Sequence, residues 1–272
     1  MLNKVVKDYE DQKKINVWNG ELDVQVRIAG SGPAVIYLHP AGPLYWDEFL
    51  DRLAENHTVY APLLPGTTPG DPYAIYKVDS YEELILIYEE VIRKLDLERS
   101  VLIGQSMGGM IAGDLAAAYP SMFSRLIMFA PTGLWREEAP VAISDLYRAS
   151  PDELPGYLFH DPGSPAARAM MALPEDHEQI PGAVAYFTWA LGCSAKFLWP
   201  IPERGLKRRL HRISVPTLIL WGQQDRVVPV NYAKDFKAGI DDCKVVVFDD
   251  CGHVVQVDKL HETITEVMGF IA

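Results

Sequence analysis

A serine set in Gly104-Gln-Ser106-Met-Gly108-Gly109 follows the apolar, β-branched run Ser100 to Ile103 and precedes an Ala-rich run, Met110 to Tyr119, that stops at Pro120. The pattern predicts a strand that ends in a very sharp turn, with a helix starting directly after it. Glycines two residues before and two after the serine let strand and helix approach closely, and the strained turn lifts the Ser106 hydroxyl clear of the backbone. A hydroxyl is a poor nucleophile until a base takes its proton, and the base needs an acid to orient it.

Of the seven histidines, His253 best fits the base. It lies in Asp249-Asp-Cys-Gly-His253, a loop directly after the strand predicted over Lys244 to Phe248. His261 falls in a terminal helix, His160, His177 and His211 fall in a proline-rich middle region, and His57 precedes a strand. The acid is read as Asp225, in Leu220-Trp-Gly-Gln-Gln-Asp225-Arg-Val-Val-Pro229, because it follows a strand whose carboxyl end would share an edge with Ser106. Asp249 and Asp250 are its rivals. So close to His253 on one loop, they are badly placed to reach behind its ring, and paired aspartates at a strand end are ordinary turn residues.

These side chains require a frame. Ile15 to Trp18 and Leu22 to Ile28 flank Asn19-Gly20 and predict a hairpin with a two-residue turn. Buried strands are expected at Ala34 to Leu38, Val59 to Leu63, Val101 to Ile103, Leu126 to Ala130, Thr217 to Trp221 and Lys244 to Phe248. Helical spacing falls over Leu44 to Leu53, Ser80 to Leu95, Asn231 to Ala238 and Lys259 to Ile271, with Ser80 and Glu83 forming a capping box. Strand and helix alternate, which predicts a mainly parallel sheet with helices on both faces and a site at its carboxyl edge. Residues 133–212 break this rhythm with repeated prolines and no buried strand pattern, and are read as an inserted helical cap on a core of residues 1–132 and 213–272. Aromatic side chains there, Trp135, Phe187, Trp189 and Trp199, are candidates to line an apolar pocket.

The bulk numbers exclude several classes. A chain of 272 residues that is 49% hydrophobic can bury a sizeable core. A net charge of −12 argues against nucleic acid or an anionic membrane as partner, because both demand clustered Lys and Arg. The basic run Arg204 to Arg212 reads as a solvated helix face. Three cysteines, Cys193, Cys243 and Cys251, cannot all pair and lack zinc-site spacing, which suits a reduced cytoplasmic compartment. The first residues carry no export signal, and no run reaches the length of a membrane span. A small molecule is the expected partner, and a homo-oligomer is left open.

Three motifs in order, GQSMGG, WGQQDRVVP and CGHVVQ, resemble those of the α/β-hydrolase superfamily over essentially the whole chain. The resemblance implies an α/β-hydrolase fold with Ser106 as nucleophile, Asp225 as acid and His253 as base. It also implies an oxyanion hole from the backbone N–H of Met107 and, on the loop after the third strand, of Ala41. The usual His-Gly start of that loop is His39-Pro40 here, and His39 is a candidate substrate contact. No P-loop, dinucleotide fingerprint or metal-ligand cluster accompanies the triad, so no cofactor and no metal are expected. The leading expectation is a serine hydrolase cleaving a carboxylic ester or lactone through an acyl-enzyme. The alternative is a carbon–carbon bond hydrolase of ring-fission dienones, which His39-Pro-Ala-Gly-Pro43, SMGG and the run His253 to Gln256 resemble, while Gln105, Val254 and Val257 depart from it. Such a substrate carries a carboxylate, for which Arg168 and Arg204 are the candidate partners. A perhydrolase or halogenating activity on the same scaffold is a minor third reading, and a non-catalytic receptor that keeps the fold and pocket is the reading from a different class.

Overall fold

The computed structural model describes residues 12–68, 70–199 and 204–272. The amino-terminal stretch read for export signals, Pro69 in the segment after β4, and Pro200 and Pro202 of the cap region lie outside the described residues.

Strands β1 (Gln12–Val17), β2 (Leu22–Ala29), β3 (Ala34–Leu38), β4 (Thr58–Pro62), β5 (Ser100–Gln105), β6 (Phe123–Phe129), β7 (Thr217–Gly222) and β8 (Cys243–Phe248) join in one sheet. Their spatial order is β1-β2-β4-β3-β5-β6-β7-β8. The pairs β1/β2 and β2/β4 are antiparallel, and every pair from β4 across to β8 is parallel. The inner strands are short apolar runs because both faces are covered. Alternate residues sort to opposite sides: Ile36, Leu38, Leu102 and Met128 join one core cluster, and Val35, Tyr37, Ile103 and Ile127 join the other.

The helices that make those cores are amphipathic or wholly buried. Helix α1 (Glu48–Ala54) buries Phe49, Leu50 and Leu53. It starts later than the expected Leu44, because the Asp47 carboxylate accepts the Leu50 N–H at 3.1 Å and sets the first turn there. In α2 (Tyr81–Lys94) Ser80 Oγ accepts the Glu83 N–H at 3.1 Å, while the Glu83 carboxylate reaches back one residue further than expected, to the Asp79 N–H. Helix α3 (Met107–Ala118) is buried along its length, and its alanines let it lie close on the sheet.

The β1–β2 connection departs from the two-residue turn. Val17 pairs with Leu22, so the loop spans Trp18 to Glu21, with Trp18, Asn19 and Gly20 all at positive φ. The Trp18 N–H donates to the Glu90 carboxylate of α2 at 2.9 Å, a contact no local rule anticipates.

Between β6 and β7 the chain runs through α4 (Ile143–Arg148), α5 (Leu154–Leu158), α6 (Pro165–Met171), α7 (Ile180–Leu198) and α8 (Leu206–Arg209), the expected helical cap. Helix α7 crosses the carboxyl edge. Its Trp189 Nε1–H donates to Gly66 O at 3.0 Å, and its Tyr186 hydroxyl donates to Thr67 O. Helices α9 (Tyr232–Gly239), α10 (Val255–Asp258) and α11 (Leu260–Ile271) complete the core. Among the described residues no helix is long and apolar enough to cross a membrane.

Candidate active site

The turn between β5 and α3 holds Ser106 at φ 52° and ψ −114°, a conformation L-residues rarely adopt. Surrounding bonds impose it: the Ser106 N–H donates to Phe129 O at 2.8 Å, and Ser106 O accepts the N–H of Thr132 and Met110, each at 3.1 Å. The flanking glycines are a packing requirement. A Cβ on Gly104 would stand 2.3 Å from Gly108 O, and one on Gly108 would stand 2.0 Å from Leu38 O.

His253 lies after β8 and Asp225 after β7, and adjacent parallel strands deliver both to the edge where β5 ends. Their loops interlock. Gln224 N–H donates to Cys251 O at 2.9 Å, Gln224 Oε1 accepts the Cys251 N–H at 3.0 Å, and Gly222 leaves room for Cys251 and Gly252 backbone where a Cβ would meet them within 2.3 Å. His253 Nε2 is 2.9 Å from Ser106 Oγ, and its Nδ1 is 2.8 Å from Asp225 Oδ2. The other oxygen, Asp225 Oδ1, accepts the Val227 and Val228 N–H groups at 2.8 and 2.9 Å. All three side chains are buried. Carboxylate, imidazole and hydroxyl thus stand in line, an arrangement that can draw the hydroxyl proton onto Nε2 while Nδ1–H stays bonded to the acid. Asp250, one of the rival acids, is exposed and pairs with His160 at 3.7 Å.

The loop after β3 is built by His39. Its Nε2 accepts the Leu64 N–H at 3.0 Å and its Nδ1 bonds Pro40 O at 2.8 Å. Burial lowers its pKa to about 4, so the ring is neutral and both nitrogens are engaged by backbone. Further along, the Gly42 N–H donates to Ser194 Oγ of α7 at 2.9 Å.

Of the cap aromatics, Phe187 stands against this loop: a Cβ on Gly42 would lie 3.8 Å from its ring and 3.4 Å from Leu191, a neighbour the sequence did not single out. Trp189 is tied to Gly66 and meets Tyr73 and Tyr76 edge-on. Trp135 donates to Glu137 at 2.9 Å. Trp199 is 59% exposed and borders an apolar cleft of about 260 Å³ with Ile143, Tyr147 and Leu198. Arg168 is exposed on α6, and Arg204 donates to the carbonyls of Lys196 and Trp199 beneath the face of Tyr81.

A buried polar bridge joins the residues next to Ser106 and after His253. Gln256 Nε2–H₂ donates to Gln105 Oε1 at 2.6 Å and to Asp47 Oδ2 at 3.1 Å, and the Tyr37 hydroxyl donates to Gln105 Oε1 at 3.0 Å. Burial raises the Asp47 pKa to about 6. Among the described residues no group of three or more His, Cys, Asp and Glu side chains could hold a metal ion.

Known proteins share this arrangement of elements. The chain is 27% identical over 254 residues, 86% of each chain, to the 2-hydroxy-6-oxo-6-phenylhexa-2,4-dienoate hydrolase of Comamonas testosteroni. It is 26% identical over 270 residues, 89% of this chain and 76% of the other, to a monoacylglycerol lipase of Homo sapiens. Its fold matches that of an esterase from Exiguobacterium antarcticum with a TM-score of 0.77 at 21% identity, over 95% of this chain and 98% of that one. The model of the alpha/beta hydrolase family spans residues 35–266, from β3 into α11. A sheet, an elbow serine and a helical cap in this order, matched over that span, make the chain a member of the alpha/beta hydrolase family, in its serine-nucleophile branch.

Proposed function

We propose that Ser106 attacks the carbonyl carbon of a small, mostly apolar substrate, with His253 as general base, Asp225 as the acid that orients it, and the Ala41 and Met107 amides as oxyanion donors. The observation that carries this reading is the 2.9 Å contact of His253 Nε2 with Ser106 Oγ. As Oγ bonds to the carbonyl carbon, His253 takes its proton and then gives it to the leaving group. Water repeats the sequence to release the acyl group and restore Ser106.

Local chemistry favours the two donors. Pro40 and Pro43 have no N–H, and that of Gly42 is taken by Ser194, which leaves Ala41 on this stretch. His39 holds Pro40 O, the carbonyl of the same planar peptide that carries the Ala41 N–H, and so orients that N–H. Met107 opens α3, where an N–H has no intrahelical acceptor and the helix end is partly positive. Residues 133–212 are taken as the cap that closes over the pocket.

For the bond cleaved, we rank carbon–carbon hydrolysis of a ring-fission dienone first, the reverse of the order expected from the sequence. The dienoate hydrolase is matched over 86% of its length against 76% for the lipase, and His39-Pro-Ala-Gly-Pro43, SMGG and His253 to Gln256 agree with such enzymes. This chemistry must first move a proton onto carbon, so that the bond to the carbonyl carbon can break with a dienolate leaving. Ester hydrolysis is the second reading, favoured by the positions of Arg168 and Arg204, the first exposed and the second engaged by cap carbonyls. The test compares kcat/KM for 2-hydroxy-6-oxo-6-phenylhexa-2,4-dienoate and 4-nitrophenyl butyrate in wild type and Ser106→Ala. A dienoate value at least about a hundredfold higher supports the first reading, and the opposite ratio the second. In either case Ser106→Ala loses several orders of magnitude, on the order of 10⁶-fold where a triad nucleophile is removed. Retained activity in that variant overturns both.

A further inference from the structure

The cap helix α7 carries a serine that no motif marks. Ser194 is fully buried, and its Oγ accepts the Gly42 N–H at 2.9 Å while donating its own proton to Ala190 O at 3.0 Å. The bond back to the carbonyl four residues earlier fixes the hydroxyl rotor. A lone pair is thereby aimed at Gly42, which sits at φ +94°.

The geometry points to Ser194 as a positioning residue for the oxyanion loop, supplied by the cap. The inference rests on the reading that Ala41 and Met107 are the oxyanion donors. The Gly42 N–H belongs to the peptide plane that follows Ala41, and the His39 bond to Pro40 O holds the plane that precedes it. With both planes anchored, Ala41 keeps neither of its backbone dihedrals free, and its N–H is held in one direction before a substrate arrives. The two anchors come from different parts of the chain, one from the loop itself just after β3 and one from the cap. A cap that lifts away takes one of them with it, so the oxyanion donor is fully ordered only when α7 is seated.

A mere stitch between cap and core would have the same bond with no effect on the chemistry, and Lys196 provides the control. Its ammonium, two residues along α7, donates to Ile75 O at 3.1 Å and touches no part of the oxyanion loop. The test measures phosphonylation of Ser106 by a fluorophosphonate, whose phosphoryl oxygen gains negative charge as Oγ bonds to phosphorus and fluoride leaves and so uses the same donors, together with deuterium uptake of the 39–44 peptide. Ser194→Ala is expected to speed exchange in that peptide and to slow phosphonylation about tenfold, a fraction of the ~10²–10³-fold that complete loss of a donor costs. Ser194→Thr, which keeps the hydroxyl, and Lys196→Met are expected to stay within about twofold of wild type. If Ser194→Ala is too unstable to purify, Ser194→Cys, a weaker acceptor of similar size, is read in the same way.

Faster exchange in Ser194→Ala with an unchanged labelling rate overturns the positioning role, as does an equal loss in Lys196→Met. A wild-type protein that is not labelled at Ser106 at all overturns the nucleophile reading itself, and the inference with it.

Discussion

Asp225 is set apart from its neighbours by what each of its oxygens does. Oδ1 accepts two backbone amides and Oδ2 meets His253 Nδ1. Asparagine can keep the first set of bonds and loses the second, because its NH₂ faces Nδ1 and forces the imidazole into the wrong tautomer. Asp225→Asn is therefore expected to fold normally and to lower the chemical step by about 10⁴-fold, the scale of this substitution in a serine triad. Asp250→Asn should change turnover less than about twofold, since its side chain is 73% exposed and faces His160. Single-turnover rates with a chromogenic ester or dienone read both. A crippled Asp250→Asn beside a silent Asp225→Asn would exchange their roles.

The elbow depends on the contact of two elements, and glycine is required where they touch. Gly108 of α3 lies so close to β3 that a Cβ would sit 2.0 Å from Leu38 O, and backbone on both sides cannot yield cheaply. At Gly113, further along the same helix, a Cβ would meet nothing nearer than the Leu206 methyls, at 3.4 and 3.5 Å. Gly108→Ala is expected to destabilise the fold by more than about 3 kcal/mol, at the severe end for a point substitution. Gly113→Ala should lie within about 1 kcal/mol of wild type, the helix preference for alanine offsetting any crowding. Urea unfolding monitored by tryptophan fluorescence distinguishes them, and equal midpoints would remove the packing argument.

Stability against pH belongs to the whole molecule, and here two buried groups oppose one another. His39 has its pKa lowered from 6.5 to about 4 by burial, so the stability it contributes is present above pH 6.5 and is lost as the pH falls through about 4. Asp47 has its pKa raised from 3.8 to about 6 by burial, so its contribution is fully present below 3.8 and is lost as the pH rises through about 6. Each shift corresponds to about 3 kcal/mol. Between pH 4 and 6 the two slopes largely cancel, and single variants expose them. Asp47→Asn should gain on wild type by up to about 3 kcal/mol as the pH rises from 4 to 7, and His39→Gln should gain similarly as it falls from 7 to 4. Denaturant melts across that range check both signs. Parallel curves for wild type and either variant would show that the group does not titrate as buried.

The alternating strands and helices, the sharp turn at Ser106 and the helical insertion after β6 are legible in the sequence alone, and so are the two strand ends that carry Asp225 and His253. Those features are written in local chemistry: short apolar runs, glycines where backbones touch, a serine between a strand and a helix, and an aspartate and a histidine just past strand ends that a parallel sheet must deliver to one edge. Tertiary structure decided what depends on partners far away in the chain. The hairpin loop is four residues because Glu90 takes the Trp18 amide. His39 is neutral because it is buried, and it is a strut because Leu64 and Pro40 occupy its ring. Ser194 matters because α7 crosses the loop that begins at His39. A lone serine in a helix and a glutamine beside Ser106 have no periodicity or spacing to mark them, since their hydrogen-bond partners are chosen only when distant segments are packed together.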